Sequence, residues 1–147
     1  MRHLILPFLA LGLSLPAAVA VAAPDKQAAP KVNAELAAAV ASPLRDKDRA
    51  RDTYRRPADT LAFFQVAPDM KVGEYAPGGE WYSRLLGLYL GPKGKLVGLY
   101  FDPTSGPFSE TAQKGIRDGA AKYPSDIATW SGIPAERFSA YTLDAVP

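Results

Sequence analysis

The 147-residue sequence predicts an α/β protein built on a parallel sheet of about three strands with flanking helices. Three observations predict it. Met70 to Tyr75 reads as a short strand, and Lys95 to Phe101, the continuous apolar run "KLVGLYF", fits a strand covered on both faces. Between them, Glu80 to Leu90 sets Trp81, Tyr82, Leu85, Leu86, Leu88, Tyr89 and Leu90 around nearly a whole circumference, the pattern of a helix buried on more than one side. Strand, helix and strand so closely spaced form a βαβ unit, whose strands should run parallel with a right-handed crossover.

The elements follow in chain order. Met1-Arg2-His3 is a short positive start, Leu4 to Pro24 carries no charge, and Ala18-Val19-Ala20 and Ala20-Val21-Ala22 offer cleavage sites. Residues 1–22 therefore read as a secretory signal peptide, which places the mature chain in the periplasm or outside the cell. The alternative is an uncleaved N-terminal membrane anchor, although Pro7, Gly12 and Pro16 interrupt it. Residues 23–32 are a Pro/Ala linker, and 33–147 form the α/β domain. Asn33 caps an Ala-rich helix that runs to Ala41 and halts before Pro43. "RDKDRARDTYRR", Arg45 to Arg56, interleaves its signs, so a solvated helix is expected, with Asp48 paired to Arg51 and Asp52 to Arg55 and Arg56; the alternative is a phosphate-binding role. Pro57 opens a short helix with Leu61 and Phe64 on one face. Pro68-Asp69 is a turn before the first strand, and "GPKG", Gly91 to Gly94, turns into the second. Ser109 to Lys122 reads as a weak amphipathic helix, Ser125 as the cap of a second one ending at Gly132, and Phe138 to Leu143 as the third strand.

Composition excludes several chemistries. The only histidine, His3, lies in the leader, and there is no cysteine. The usual zinc sites, disulfides and Ser-His-Asp or Cys-His pairs are therefore beyond the mature chain, and no metal is expected. Loss of Arg2 leaves sixteen Lys and Arg against fifteen Asp and Glu, a balance that gives no electrostatic case for nucleic acid or an anionic membrane.

In open parallel sheets, ligands bind beyond the carboxyl ends of the strands. Those ends are Glu74 to Gly79 and Tyr100 to Pro103. The first, "EYAPGG", fits both a ligand loop and a plain Pro-Gly-Gly turn. A dinucleotide fits it poorly. In the G-x-G-x-x-G frame begun at Ala76, the third small position is Trp81, and Glu80 stands where a pyrophosphate would lie. Like charges 4 Å apart repel by about 4 kcal/mol near a surface, whereas a helix dipole returns about 0.3–1 kcal/mol. A sulfonium ligand escapes that repulsion, and Gly78 and Gly79 admit its close approach.

The run "RPADTLAFF…VAPDMKVGEYAPGGEWYSRLL…GPKGKLVGL" resembles a group of predicted, often exported class I S-adenosylmethionine-dependent methyltransferases. The match covers Arg56 to about Pro103 and, more loosely, "SGIPAERFSAYTLDAVP". The resemblance implies a partial Rossmann-like methyltransferase sheet that binds S-adenosylmethionine through Glu74, Tyr75, Ala76, Pro77, Gly78 and Gly79. Two positions depart from the family's E/D-x-G-x-G-x-G pattern: Ala76 replaces the first Gly and Glu80 the third. Tyr100 stands where an acidic residue normally holds the ribose, and Asp102 offers a substitute two residues on. The competing reading of Asp102 is a turn-forming Asp-Pro.

The family's sheet has seven strands, so this chain would stop after the third and leave Met70 to Tyr75 as an open edge. Two readings follow: a fragment, or a short protein whose edge is covered by a homodimer or partner chain. The functional alternative to a methyltransferase, or its cofactor-binding half, is a non-catalytic exported module acting through protein–protein contacts. No residue is singled out as a catalytic base.

Overall fold

The computed structural model describes residues 31–90 and 93–146. The expected leader, most of the linker, and Gly91 and Pro92 of the expected turn lie outside the described residues. The fold is mixed α/β, with a three-stranded parallel sheet in the order β1-β2-β3. β1 is Lys71–Tyr75, β2 is Lys95–Tyr100 and β3 is Phe138–Thr142. Five helices accompany it: α1 Ala34–Ala41, α2 Asp52–Arg55, α3 Pro57–Phe63, α4 Trp81–Leu90 and α5 Glu110–Ser131.

Local chemistry sets several boundaries. Asn33 Oδ1 accepts the Leu36 amide at 2.7 Å and starts α1, as expected. Pro57 opens α3, where its missing N–H costs nothing. Ser109 Oγ accepts the Ala112 amide at 3.2 Å to start α5, and Gly132, at φ 70°, ends it.

The two helices expected between Ser109 and Gly132 are one, because Pro124 does not break α5. An interior proline costs about 3 kcal/mol. Tyr123 and Ile127 flank it, both with 0% exposure. Burying one large apolar side chain contributes about 1.5–3 kcal/mol, so packing against the sheet outweighs the lost hydrogen bond. Ser125 caps nothing; its hydroxyl donates to the Lys122 carbonyl at 2.8 Å.

Strand register sorts the sheet into two faces. Val72, Leu96 and Phe138 form one row and Glu74, Gly98 and Ala140 the next, both turned toward α4 and α5. A Cβ at Gly98 would lie 3.2 Å from the Tyr123 ring, so the absent side chain is what lets α5 cross close over the sheet. Leu85, Leu86, Tyr89 and Leu90 of α4 join Leu96, Ile127 and Phe138 in the core, and α1 adds Leu36 and Ala39 from outside.

The opposite face carries the rows Gly73-Val97-Ser139 and Tyr75-Leu99-Tyr141. Here the expectation that β2 is covered on both faces holds only in part: Val97 is buried, at 6% exposure, and Leu99 is half-buried, while the residues around the strand tips are open. Tyr75 is 59% exposed, and Phe101 and Leu143, just past the strands, are exposed as well. The physical reason is topological: α4 and α5 both follow crossovers that step in one direction across the sheet, so both pack on one face. Among the described residues β1 pairs only with β2, which leaves it the edge strand expected.

The Arg45–Arg56 segment also departs from expectation. It is a 3-10 turn, Pro43–Arg45, a second, Arg49–Arg51, and then α2. Arg45 is fully buried and pairs with Asp52 at 2.9 Å, while Asp48 is buried against α4. The expected partners do not meet because other arginines take the two carboxylates: Asp52 pairs with the buried Arg45 and Asp48 with Arg84 of α4. Phe64, expected beside Leu61, caps α3 and is exposed in an edge-to-face pair with Phe63.

Candidate functional site

The loop after β1 and the segment after β2 meet at the carboxyl end of the sheet. The Ala76 amide donates to the Leu99 carbonyl at 2.7 Å, tying the two strand tips together. The chain then turns through a left-handed backbone at Ala76 (φ 50°), Gly79 (φ 72°) and Glu80 (φ 55°). Of these only glycine adopts such a conformation freely, and a non-glycine residue held there costs about 1–2 kcal/mol. Ala76 and Glu80 are the two positions where the expected motif has glycine, and both hold the left-handed backbone that glycine adopts freely.

Side chains around this loop are strongly polarised. Glu74 points to the helix face and accepts the Ser83 hydroxyl at 2.6 Å and, in a long contact of 3.5 Å, that of Tyr123. Burial pushes the Glu74 carboxyl above its ordinary range; the Ser83 and Tyr123 hydrogen bonds oppose this, and the nearby Glu80 charge adds to it. The Glu74 carboxylate thus sits beside the first turn of α4, held there by the Ser83 hydroxyl. Tyr100, on the same face of β2, has its phenol pushed up to about 12 by burial and by the Glu80, Glu74 and Asp126 charges. Burial likewise raises Tyr123. Two carboxylates and two phenols thus lie near the strand tips, with the Arg84 guanidinium 3.6 Å from Glu80.

The remaining expected contacts divide. Tyr75 lies on the open face, where its ring meets Phe101 edge-to-face at 5.4 Å, away from Glu74. Pro77 is buried, while Gly78 and Gly79 are exposed and present bare main chain. Asp102 forms a local turn, its Oδ1 accepting both the amide and the hydroxyl of Thr104 at 2.7 Å.

Trp81 turns away from the strand tips. It is 2% exposed, and its indole Nε1 donates to the Asp48 carbonyl at 3.0 Å. Arg84 completes this support: its Nε donates to Asp48 Oδ2 at 2.7 Å, one Nη to the Gly79 carbonyl at 3.2 Å, and its other Nη lies 3.6 Å from Glu80. The loop is thereby clamped to the N-terminal segment. Ser83, Arg84, Tyr123 and Asp48 are the members of the site that the sequence did not reveal. Ser83 and Arg84 sit inside the quoted "WYSRLL" and could have been found there, whereas Tyr123 and Asp48 reach the site only through tertiary packing.

A cavity of about 450 Å³ lies elsewhere, between α1 and α4 near the amino ends of the strands, lined by residues that include Glu35, Ser42, Pro68, Tyr89 and Lys93. Among the described residues no three His, Cys, Asp or Glu side chains are grouped to hold a metal ion. No protein-family model, curated protein or solved structure matches the chain.

Proposed function

We propose that the loop after β1 binds S-adenosylmethionine, and that the chain is an exported methyltransferase or the cofactor-binding half of one. The observation that carries this reading is the left-handed backbone at Ala76, Gly79 and Glu80, placed at the carboxyl tip of a parallel β-α-β unit. Gly78 and Gly79 let adenosyl and amino acid groups approach main chain, and Glu74 and Glu80 supply charge for a sulfonium. The Oδ2 atom of Asp102 is the candidate partner of the ribose hydroxyls, its Oδ1 being engaged by Thr104. Glu74 already occupies the opening of α4, so a dinucleotide pyrophosphate would have to displace it and face Glu80. Calorimetric titration of the full chain with S-adenosylmethionine and S-adenosylhomocysteine should give saturable heat. No heat at millimolar ligand would remove the proposal.

A second reading is favoured by a separate observation, the free edge of β1 beside the open sheet face. In this reading the chain is a non-catalytic exported module, and a second copy or partner chain adds a strand along Lys71–Tyr75. Sedimentation equilibrium should then show a dimer or complex in which Lys71–Tyr75 amides exchange slowly. A monomer with slow exchange in the same amides would exclude it.

A further inference from the structure

We infer that Arg51 and Arg55 form a seat for a phosphomonoester dianion on the N-terminal segment beside α4. The inference stands apart from the cofactor reading. It starts from charge accounting over residues 45–56. Asp46 is held by Arg49 at 2.9 Å, Asp52 by Arg45, and Asp48 by Arg84. Just beyond the segment, Asp59 is held by Arg56 at 2.8 Å. The nearby carboxylates are thus committed, and among the described residues Arg51, Arg55 and Lys47 are left without one.

The two arginines are also placed together. Arg51 caps α2 and Arg55 ends it four residues later, so they share one side of the turn, with Tyr54 beside them at 74% exposure. Arg55 is fixed without a salt bridge: its guanidinium lies 5.0 Å from the Trp81 ring centre and 6.0 Å from that of Tyr82. Stacking holds the plane of a guanidinium while leaving its edge donors available, the geometry that binds an oxyanion through paired hydrogen bonds. A phosphomonoester, with a charge of about −1.5 to −2 at neutral pH, matches two guanidinium charges better than a single carboxylate does. Tyr54 offers a ring for an organic substituent on the phosphate. Glu80, the nearest carboxylate in the adjoining loop, leans toward Arg84.

The test is a titration of the full nitrogen-labelled chain at constant ionic strength, following arginine side-chain resonances by NMR. The probes are inorganic phosphate, phenyl phosphate and acetate. Both phosphates should shift the Arg51 and Arg55 signals, and acetate should leave them in place. Tighter binding of phenyl phosphate assigns the seat to an organic phosphomonoester; equal binding assigns it to phosphate itself. Arg51→Gln, at an exposed position, should weaken phosphate binding about tenfold, the scale of one charge-assisted hydrogen bond. Arg55→Lys, which keeps the charge but loses the fork, should weaken it as well. Equal shifts with acetate, or unchanged phosphate affinity in the Arg51→Gln/Arg55→Gln double variant, would overturn the assignment.

Discussion

The two faces of the same sheet are built on opposite terms. Toward α4 and α5, the rows Val72-Leu96-Phe138 and Glu74-Gly98-Ala140 interlock with Leu85, Tyr123 and Ile127, and the only charge admitted is a hydrogen-bonded carboxylate. On the other side, the row Tyr75-Leu99-Tyr141 and the neighbouring Phe101 present partly exposed rings and aliphatic groups. Parallel sheets are ordinarily covered on both faces. The difference teaches that the covered face supplies most of the cohesion of this fold, while among the described residues the outer edge of β1 pairs with no strand.

The sharpest way to break that comparison is to truncate one side chain on each face. Leu96, 0% exposed, should lose about 2–5 kcal/mol of stability on change to Ala, because the cavity it leaves is walled by packed side chains. Phe101→Ala, at 45% exposure, should cost about 1 kcal/mol, since nearly half of its surface already faces water. Urea denaturation of both variants checks the pair. Equal losses, or a Phe101→Ala loss that depends on protein concentration, would mean that the open face is covered in solution.

Gly98 tests the covered face by addition. Its Cβ would meet Tyr123 ring atoms at 3.2 Å and the Ala140 Cβ at 3.3 Å, so Ala at this position should cost about 1–3 kcal/mol through overpacking. The damage should reach the site as well, because the Tyr123 ring over Gly98 is the one whose hydroxyl approaches Glu74. Thermal unfolding, with the exchange rate of the Tyr123 hydroxyl proton followed by NMR, would register both effects. A fully stable Gly98→Ala chain would show that α5 can lift off the sheet at no cost.

Much of this arrangement was legible in the sequence because local chemistry wrote it. Asn33, Pro57 and Ser109 start their helices at the expected residues, and all three strands lie within the segments expected for them. The failures share one cause, tertiary packing that outweighs a local rule. Pro124 reads as a break until Tyr123 and Ile127 are seen pressed onto the sheet. Arg45 and Asp48 read as surface charges until Trp81 and Arg84 are seen to require them. The candidate site divides in the same way: the loop from Glu74 to Gly79 was readable as a motif, but its enclosure by Ser83, Tyr100 and Tyr123 depends on which face each strand presents.

The loop between the two faces should respond more weakly and in both directions. A Cβ on Gly79 would meet nothing within 4 Å, so Gly79→Ala should cost about 1 kcal/mol through backbone conformation alone. Ala76→Gly should do the reverse. It releases about 1–2 kcal/mol of left-handed strain against about 0.5–1 kcal/mol of added chain entropy in the unfolded state. The net gain is about 0.5 kcal/mol, visible as a small rise in Tm. A loss on Ala76→Gly would mean that the Ala76 methyl makes a contact worth more than the strain it imposes.

The smallest expected effect is a change of pH slope. Glu74 is raised above its ordinary carboxyl range, chiefly by burial, so the folded chain binds its proton more tightly than the unfolded chain does. The stability this contributes is complete below the unfolded pKa and is lost as pH rises through the folded value. At neutral pH the ionised carboxylate is therefore a net cost, despite the Ser83 and Tyr123 hydrogen bonds. Glu74→Gln keeps an oxygen able to accept from Ser83 and removes the charge facing Glu80 and Tyr100. Its stability should exceed that of the parent at neutral pH and converge with it in acid, while the Tyr100 phenol, held up to about 12 partly by Glu74, should titrate lower by ultraviolet absorbance. If Glu74→Gln instead weakens the fold at neutral pH, the carboxylate is stabilised by its partners more than burial penalises it. The strand tips would then hold a satisfied anion, with less charge to offer a cationic ligand.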